Sequence, residues 1–267
     1  MDFLNVIGRR LSRALSKPRA SSTVLTTCRP GDLAATLKPG DVLLVDGNST
    51  FSIAIKYLTQ SSWSHAALCI GDALGPAEKG GEALTLLDVD INDGVRAVPL
   101  SLYADYHTRI CRPVGLSRKQ IKMVIDYTLA RLGQQYDLKN IYDLTRYLIP
   151  ITLIPTRWRR SLLTMGSGDP TRAICSSLIA QAFQSISYPI LPLVALEQGY
   201  DRHCKSCYKE VLRRRHHSQF TPRDFDVSPY FEIIKPTLAK GFKPSKLTWG
   251  IDPNEETRQE ETATELG

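Results

Sequence analysis

The shortages in this sequence narrow its class before any motif does. No apolar run is long enough to cross a bilayer as a helix, which takes about 20 residues. The apolar region at residues 138–165 is broken by Pro150 and Pro155 and contains the basic cluster Arg157, Arg159 and Arg160. The N-terminal residues have no apolar core of signal-peptide type. Cysteine is sparse, with six in 267 residues at irregular spacing, which excludes a disulfide framework of the secreted kind. A reducing, cytoplasmic location is the expectation. Internal repeats are absent, as is any nucleic-acid-binding motif, so no nucleic-acid partner is expected despite the basic balance.

What is present fits one domain of moderate size with extensions. Apolar residues make up 42% of the chain, enough for a real core. The net charge of +7 is unevenly spread. From Asp252 to Gly267 six acids face one arginine, so the rest of the chain carries +12. A segment of that composition is expected to be disordered. The first nineteen residues hold five basic groups against Asp2, with Phe3, Ile7, Leu11 and Ala14 on one helical stripe. That stripe suits a helix packed on its own domain, or a basic arm lying on an anionic membrane. Peripheral membrane contact, through this arm and residues 144–160, is therefore a second expectation. The chain divides into a basic amphipathic arm and linker (1–30), a main domain (31–240) and an acidic tail (241–267).

Along the main domain, Val42 to Val45 form a short buried strand after the turn at Pro39 and Gly40. Residues 51–60 suit a short helix. "SHAALCIGDALG" reads as strand then loop, and "EALTLLDVDINDGVRAV" as strand, turn and strand. A helical turn near Leu102 precedes the strand "RICRPV". A helix beginning at Ser117 buries Ile121, Val124, Ile125, Leu129 and Leu132 and stops at Gly133. "SPYFEIIKPT" is a late strand. Strands, a helix, a further helix and a last strand make an α+β domain rather than a doubly wound one.

The further helix carries the chemistry. In "DPTRAICSSLIAQAF" the apolar positions Ile174, Leu178, Ile179, Ala182 and Phe183 have helical spacing, and Asp169 with Pro170 suits an N-terminus. Cys175 then lies in the opening turns. A buried small hydrophobe is one reading. A nucleophile is the other, because a helix N-terminus stabilises a thiolate. A nucleophilic cysteine needs a base and a group to orient it. Of five histidines, His216 and His217 lie in the charged segment "EVLRRRHHSQ", His107 in a polar loop, and His203 beside Cys204. His65 begins a buried strand in "WSHAALCIG". If residues 65–70 pair antiparallel with 84–89 about a symmetric loop, Asp88 stands opposite His65. Asp90 shares that face and is the alternative. "HCKSC" gives Cys204 and Cys207 a zinc-ligand spacing but no second pair, so no metal site is expected. No cofactor is expected either.

Taken in order, "PGDVLLVDG", "WSHAALCIG", "LLDVDINDGVRAVPL", "LGQQYD", "CSSLIAQAF" and "TPRDFDVSPYFEIIKP" resemble the permuted papain-like cysteine hydrolases of the YiiX/YebB type, relatives of the NlpC-type peptidases and the lecithin–retinol acyltransferases. The resemblance spans roughly residues 38–236. It implies a circularly permuted papain-like fold, with a small antiparallel sheet or barrel packed on the Cys175 helix. It also implies Cys175 as nucleophile and His65 as base. The family's third group is usually a Glu on the strand after the His; here "LLDVD" offers Asp88 as the best match. Tyr136 and Asp137 match the family's Gly-x-x-Tyr-Asp stretch, with Tyr136 a supporting residue or a purely structural one. The activity implied is cleavage of an amide in a peptide or an acyl-amine. A thioesterase or acyltransferase on lipid-linked substrates is the alternative, and a silent binding module a further one.

Overall fold

The two faces of one strand organise the molecule. In β1 (Val42–Asp46), Val42 and Leu44 join one buried cluster while Leu43 and Val45 join another. A strand buried on both faces belongs in the interior of a sheet. The computed structural model describes residues 30–77, 80–90, 93–135, 174–198, 208–239, 241 and 243–246. The elements in chain order are α1 (Pro30–Thr36), β1, α2 (Thr50–Thr59), β2 (His65–Cys69), β3 (Leu84–Asp90), β4 (Gly94–Pro99), a 3₁₀ turn (Leu100–Tyr103), β5 (His107–Pro113), α3 (Arg118–Leu129), α4 (Ile174–Ser185), β6 (Leu193–Gln198), β7 (Tyr208–Arg213), α5 (Pro222–Asp226), β8 (Phe231–Ile234) and α6 (Pro236–Ala239). Six strands form one antiparallel sheet in the order β4-β3-β2-β1-β5-β8. The fold is therefore α+β, with an antiparallel sheet.

Helices α3 and α4 cover one face. Val124 and Ile125 from α3, and Leu178, Ile179, Ala182 and Phe183 from α4, join Val42, Leu44, Leu68 and Leu87 in a single core. On the other face Leu33 from α1 and Tyr103 from the 3₁₀ turn pack on Leu43, Val45, Ala67, Leu86 and Ile110. Ser117 caps α3, and Gln120 reaches back to the cap in a capping box. After α3 the chain docks on β4: Val95 N donates to Gln134 O at 3.0 Å, and Gly133 N to Val95 O at 2.8 Å. That approach requires glycine at 94, where φ is +74° and a Cβ would stand 2.3 Å from Gln134 O.

Several elements were not foreseen. The hairpin β6–β7 pairs Leu193 with Arg213 through Gln198 with Tyr208; "LVALEQ" has no strict alternation to mark it as strand. α1 begins at Pro30, the last residue of the expected linker, and runs through residues 31–36, where the sequence suggests no element. α5 carries a legible signal, since Thr221 and Asp224 form a capping box with Pro222 at the helix start. His107 is not in a loop. It opens β5, and its ring lies 5.2 Å from that of Trp63. Trp63 Nε1 donates to Asp226 Oδ2 at 2.9 Å, and Arg109 Nη1 bonds the same carboxylate at 2.7 and 2.9 Å. These contacts fasten α5 to the segment leading into His65.

No helix among the described residues is long and apolar enough to cross a membrane. The arm at 1–19, the segment 144–160 and the acidic tail from Asp252 lie outside the described residues.

Candidate functional site

Cys175 is the second residue of α4 and is buried, with 5% of its surface exposed. The N–H groups of a first helical turn have no partner within the helix and point outward. The Cys175 sulfur takes hydrogen bonds from the backbone of Ser176 and of Ala66, and it bonds His65. Ser176 fixes this end of the helix, because its buried Oγ donates to Phe220 O at 2.8 Å. Ala66 has its own geometric reason. The ladder between β2 and β3 is paired at Leu68↔Leu87 and Cys69↔Leu86, and Ile70 N donates to Thr85 O at 2.9 Å. Alternation then points the Ala66 N–H to the same side as that of Ile70, beyond the last pair, where the sulfur meets it.

His65 opens β2 and keeps 24% of its side chain exposed. Its Nε2 lies 3.2 Å from Asp88 Oδ2 and 3.0 Å from Tyr103 Oη. The Tyr103 hydroxyl itself donates to Asp88 Oδ2. With Nε2 engaged there, Nδ1 is left to serve Cys175. Asp88 is almost wholly buried, its side chain 1% exposed. Its other oxygen accepts from Arg96 Nε at 2.9 Å, and Arg96 Nη2 approaches Oδ2 at 3.4 Å. Of the two acids considered for the third place, Asp88 is the one on His65. Asp90 accepts from the Asp93 N–H and lies 3.7 Å from Arg96.

The register behind that contact differs from the symmetric one by two residues. Leu68 pairs with Leu87 and Cys69 with Leu86, which places Asp88 beside Ala67 rather than directly opposite His65. A two-residue offset preserves the face, since side chains alternate with period 2. Asp88 therefore reaches His65 along a diagonal.

The electrostatics follow from burial and charge. Burial opposes a charged imidazole at His65. The facing Cys175 sulfur and the Asp88 carboxylate outweigh it and hold the His65 pKa well above its ordinary value. Burial likewise raises Cys175, but the His65 charge and its hydrogen bond, with the N–H groups of Ala66 and Ser176, bring the thiol below its ordinary value. Burial works against the Asp88 carboxylate too; His65 and Arg96 overcome it and push this group well below the usual range. Burial and the neighbouring Asp88 charge push Tyr103 upward, so it stays a protonated donor. The two other described cysteines behave oppositely. Burial raises Cys69 to about 12 and raises Cys111 as well.

Two of these residues, Arg96 and Tyr103, went unnoticed in the sequence. Arg96 had a usable signal, because on β4 it pairs directly with Asp88 of β3 in the hairpin the two strands form. Tyr103 had none, since only the packing of the 3₁₀ turn on the sheet brings it there. Tyr136, Asp137, His203, Cys204 and Cys207 lie outside the described residues. His216 and His217 stack on each other, with ring centroids 4.0 Å apart. Among the described residues no group of three or more His, Cys, Asp or Glu is arranged to hold a metal ion.

No protein-family model matches the chain. None of the curated proteins matches it. Among solved structures, the crystal structure of metalloprotein yiiX from Escherichia coli O157:H7, a DUF1105 protein, is similar over 74% of this chain and 96% of that one, at 14% identity and a TM-score of 0.39. The likeness to that structure is distant.

Proposed function

We propose that this chain is a cysteine hydrolase that cleaves amide bonds, in a peptide or an acyl-amine, on a permuted papain-like domain spanning 31–240. The observation that carries the reading is the run of contacts from Asp88 through His65 to a buried cysteine at a helix start. Such a run supplies an acid-oriented base beside a thiol, as covalent catalysis requires. The order of the elements, with the histidine strand ahead of the cysteine helix, agrees with the permuted family that the sequence resembles.

The chemistry follows from the contacts. The Nε2–H of His65 is held by Asp88 and Tyr103, so Nδ1 takes the thiol proton. The thiolate adds to the carbonyl carbon, and the oxyanion that forms is stabilised by helix-start N–H groups, including that of Cys175. The intermediate collapses to a thioester as the C–N bond breaks, and imidazolium gives its proton to the departing amine. Water then adds to the thioester while His65 takes its proton. The carboxylic acid leaves and the thiol is restored.

Intact-mass measurement during incubation with N-acyl amino acids, peptidoglycan peptides and phospholipids tests this reading. An acyl mass on Cys175 from the amides, absent in Cys175→Ser and His65→Ala, is the expected result. Transfer from phospholipids alone replaces it with a lipid acyltransferase or thioesterase. No adduct from any of them, with an unreactive thiol, leaves a binding module. The basic arm at 1–19 is proposed to hold the protein on anionic membranes. Equal failure of the full chain and of a variant lacking residues 1–19 to sediment with anionic liposomes at low salt would refute that role.

A further inference from the structure

Asp88 is the only acid bonded to His65 among the described residues, yet it does not face His65 alone. Arg96 from β4 meets both carboxylate oxygens, at 2.9 and 3.4 Å, and Tyr103 from the 3₁₀ turn donates to Oδ2. The remaining charged groups around Arg96 are Asp93, at 2.9 Å and with its side chain 63% exposed, and Asp90, at 3.7 Å and 25% exposed. Water screens those two far more than it screens Asp88, whose side chain is 1% exposed. Guanidinium keeps its charge at every accessible pH. The nearest environment of His65 Nε2 is thus a carboxylate whose charge is already offset in large part.

We propose that Arg96 offsets much of the charge of Asp88, so that the pair acts on His65 chiefly as a hydrogen-bond acceptor that orients the ring, while Cys175 supplies most of the negative charge that imidazolium faces. Arg96 and Tyr103 are positioning residues in this arrangement, which rests on the cysteine-hydrolase reading. The geometry sets a definite consequence. In Asp88→Asn alone, Arg96 and Tyr103 both still donate. The amide oxygen satisfies one side and the amide N–H₂ turns toward the other, so His65 Nε2 meets either a donor or an uncompensated cation. Removing the cation as well leaves the amide oxygen free to accept from Nε2–H.

The test is iodoacetamide alkylation of Cys175 in the full-length chain, followed between pH 5 and 9 by peptide mass, with the His65 ring followed by NMR up to about pH 11. Asp88→Asn is expected to slow alkylation by more than tenfold, because a ring turned away by the amide no longer holds the thiolate, and to lower the pH at which imidazolium loses its proton by at least about one unit. The double variant Asp88→Asn with Arg96→Gln is expected to recover to within about threefold of wild type. Should that double variant fail to fold, Arg96→Lys and Arg96→Gln decide. Lysine keeps the charge, so the acid limb stays in place; glutamine removes it, and the limb moves up by about one pH unit. A double variant as slow as Asp88→Asn overturns the proposal. Equal displacement of the limb in Arg96→Lys and Arg96→Gln does so as well. If wild-type Cys175 alkylates no faster than Cys69, the hydrolase reading falls and takes this inference with it. A reactive wild-type thiol with an unrecovered double variant overturns this inference alone.

Discussion

Cys175 should react with a small alkylating agent about two orders of magnitude faster than Cys69 at pH 7, and the figure comes from the surroundings of the two sulfurs. Only the thiolate is nucleophilic. Cys69, raised to about 12 by burial, holds a thiolate fraction of about 10⁻⁵ at pH 7. A thiol at the ordinary value holds about 3%, and Cys175 lies below its ordinary value through His65 and the N–H groups of Ala66 and Ser176. The ratio of fractions therefore exceeds about 10³. Lower basicity makes a thiolate less nucleophilic, with a Brønsted slope of roughly 0.4–0.5, which removes between one and two decades over this range. About 10² remains for Cys69, which is as buried as Cys175, and the complete burial of Cys111 slows that competitor further. The pH dependence has a definite sign. A thiol with a depressed pKa is ionised above that value and loses the charge as pH falls through it. Cys175 should therefore gain rate less steeply with pH across the neutral range than an ordinary thiol, which gains about tenfold per unit below its pKa. Iodoacetamide labelling resolved by peptide mass reads each cysteine separately. His65→Ala should return Cys175 to a burial-dominated thiol and slow it at least tenfold. Reaction of Cys69 or Cys111 within tenfold of Cys175, or a Cys175 rate indifferent to His65→Ala, refutes the argument.

Three further outcomes are expected. Leu178→Ala removes a fully buried side chain from the core beneath Cys175, and urea unfolding should show a loss of about 2–5 kcal/mol. Gly94→Ala places a Cβ 2.3 Å from a backbone oxygen at φ +74°, so thermal unfolding should fall well below wild type, whereas Gly115→Ala, with open space around it, should suffer only the strain of its φ of +77°. Asp88 binds its proton more weakly folded than unfolded, so it stabilises the fold above its unfolded pKa of about 3.9, and that stability is lost as pH falls toward the lower folded value. Stability of Asp88→Leu, measured by denaturant from pH 6 to pH 3, should change less steeply than that of wild type.

Sequence alone determined the elements whose side chains repeat with a clear period. Val42 to Val45, "SHAALC" and the Ser117 helix were legible because local alternation or 3.6-residue spacing decides which face is apolar. The pairing of Cys175 with His65 was legible because few residue types do this chemistry, and His65 is the histidine whose flanking residues read as a buried strand; His107, which opens β5, stands in a stretch whose polar residues suggest a loop. The choice of Asp88 was reachable through parity, even with the register two residues off, because a slip of two leaves a side chain on its face. What the tertiary structure alone decided is how Asp88 is held. Tyr103 arrives from a 3₁₀ turn whose place depends on its packing against Leu43, Val45 and Ile110, contacts remote in sequence. Arg96 faces Asp88 because the β3–β4 hairpin turns where it does. The Ala66 N–H reaches sulfur because the β2–β3 pairing ends short of it and α4 is tethered through Ser176 to Phe220. Each of these depends on distances between segments far apart along the chain, and local propensity carries no information about such distances.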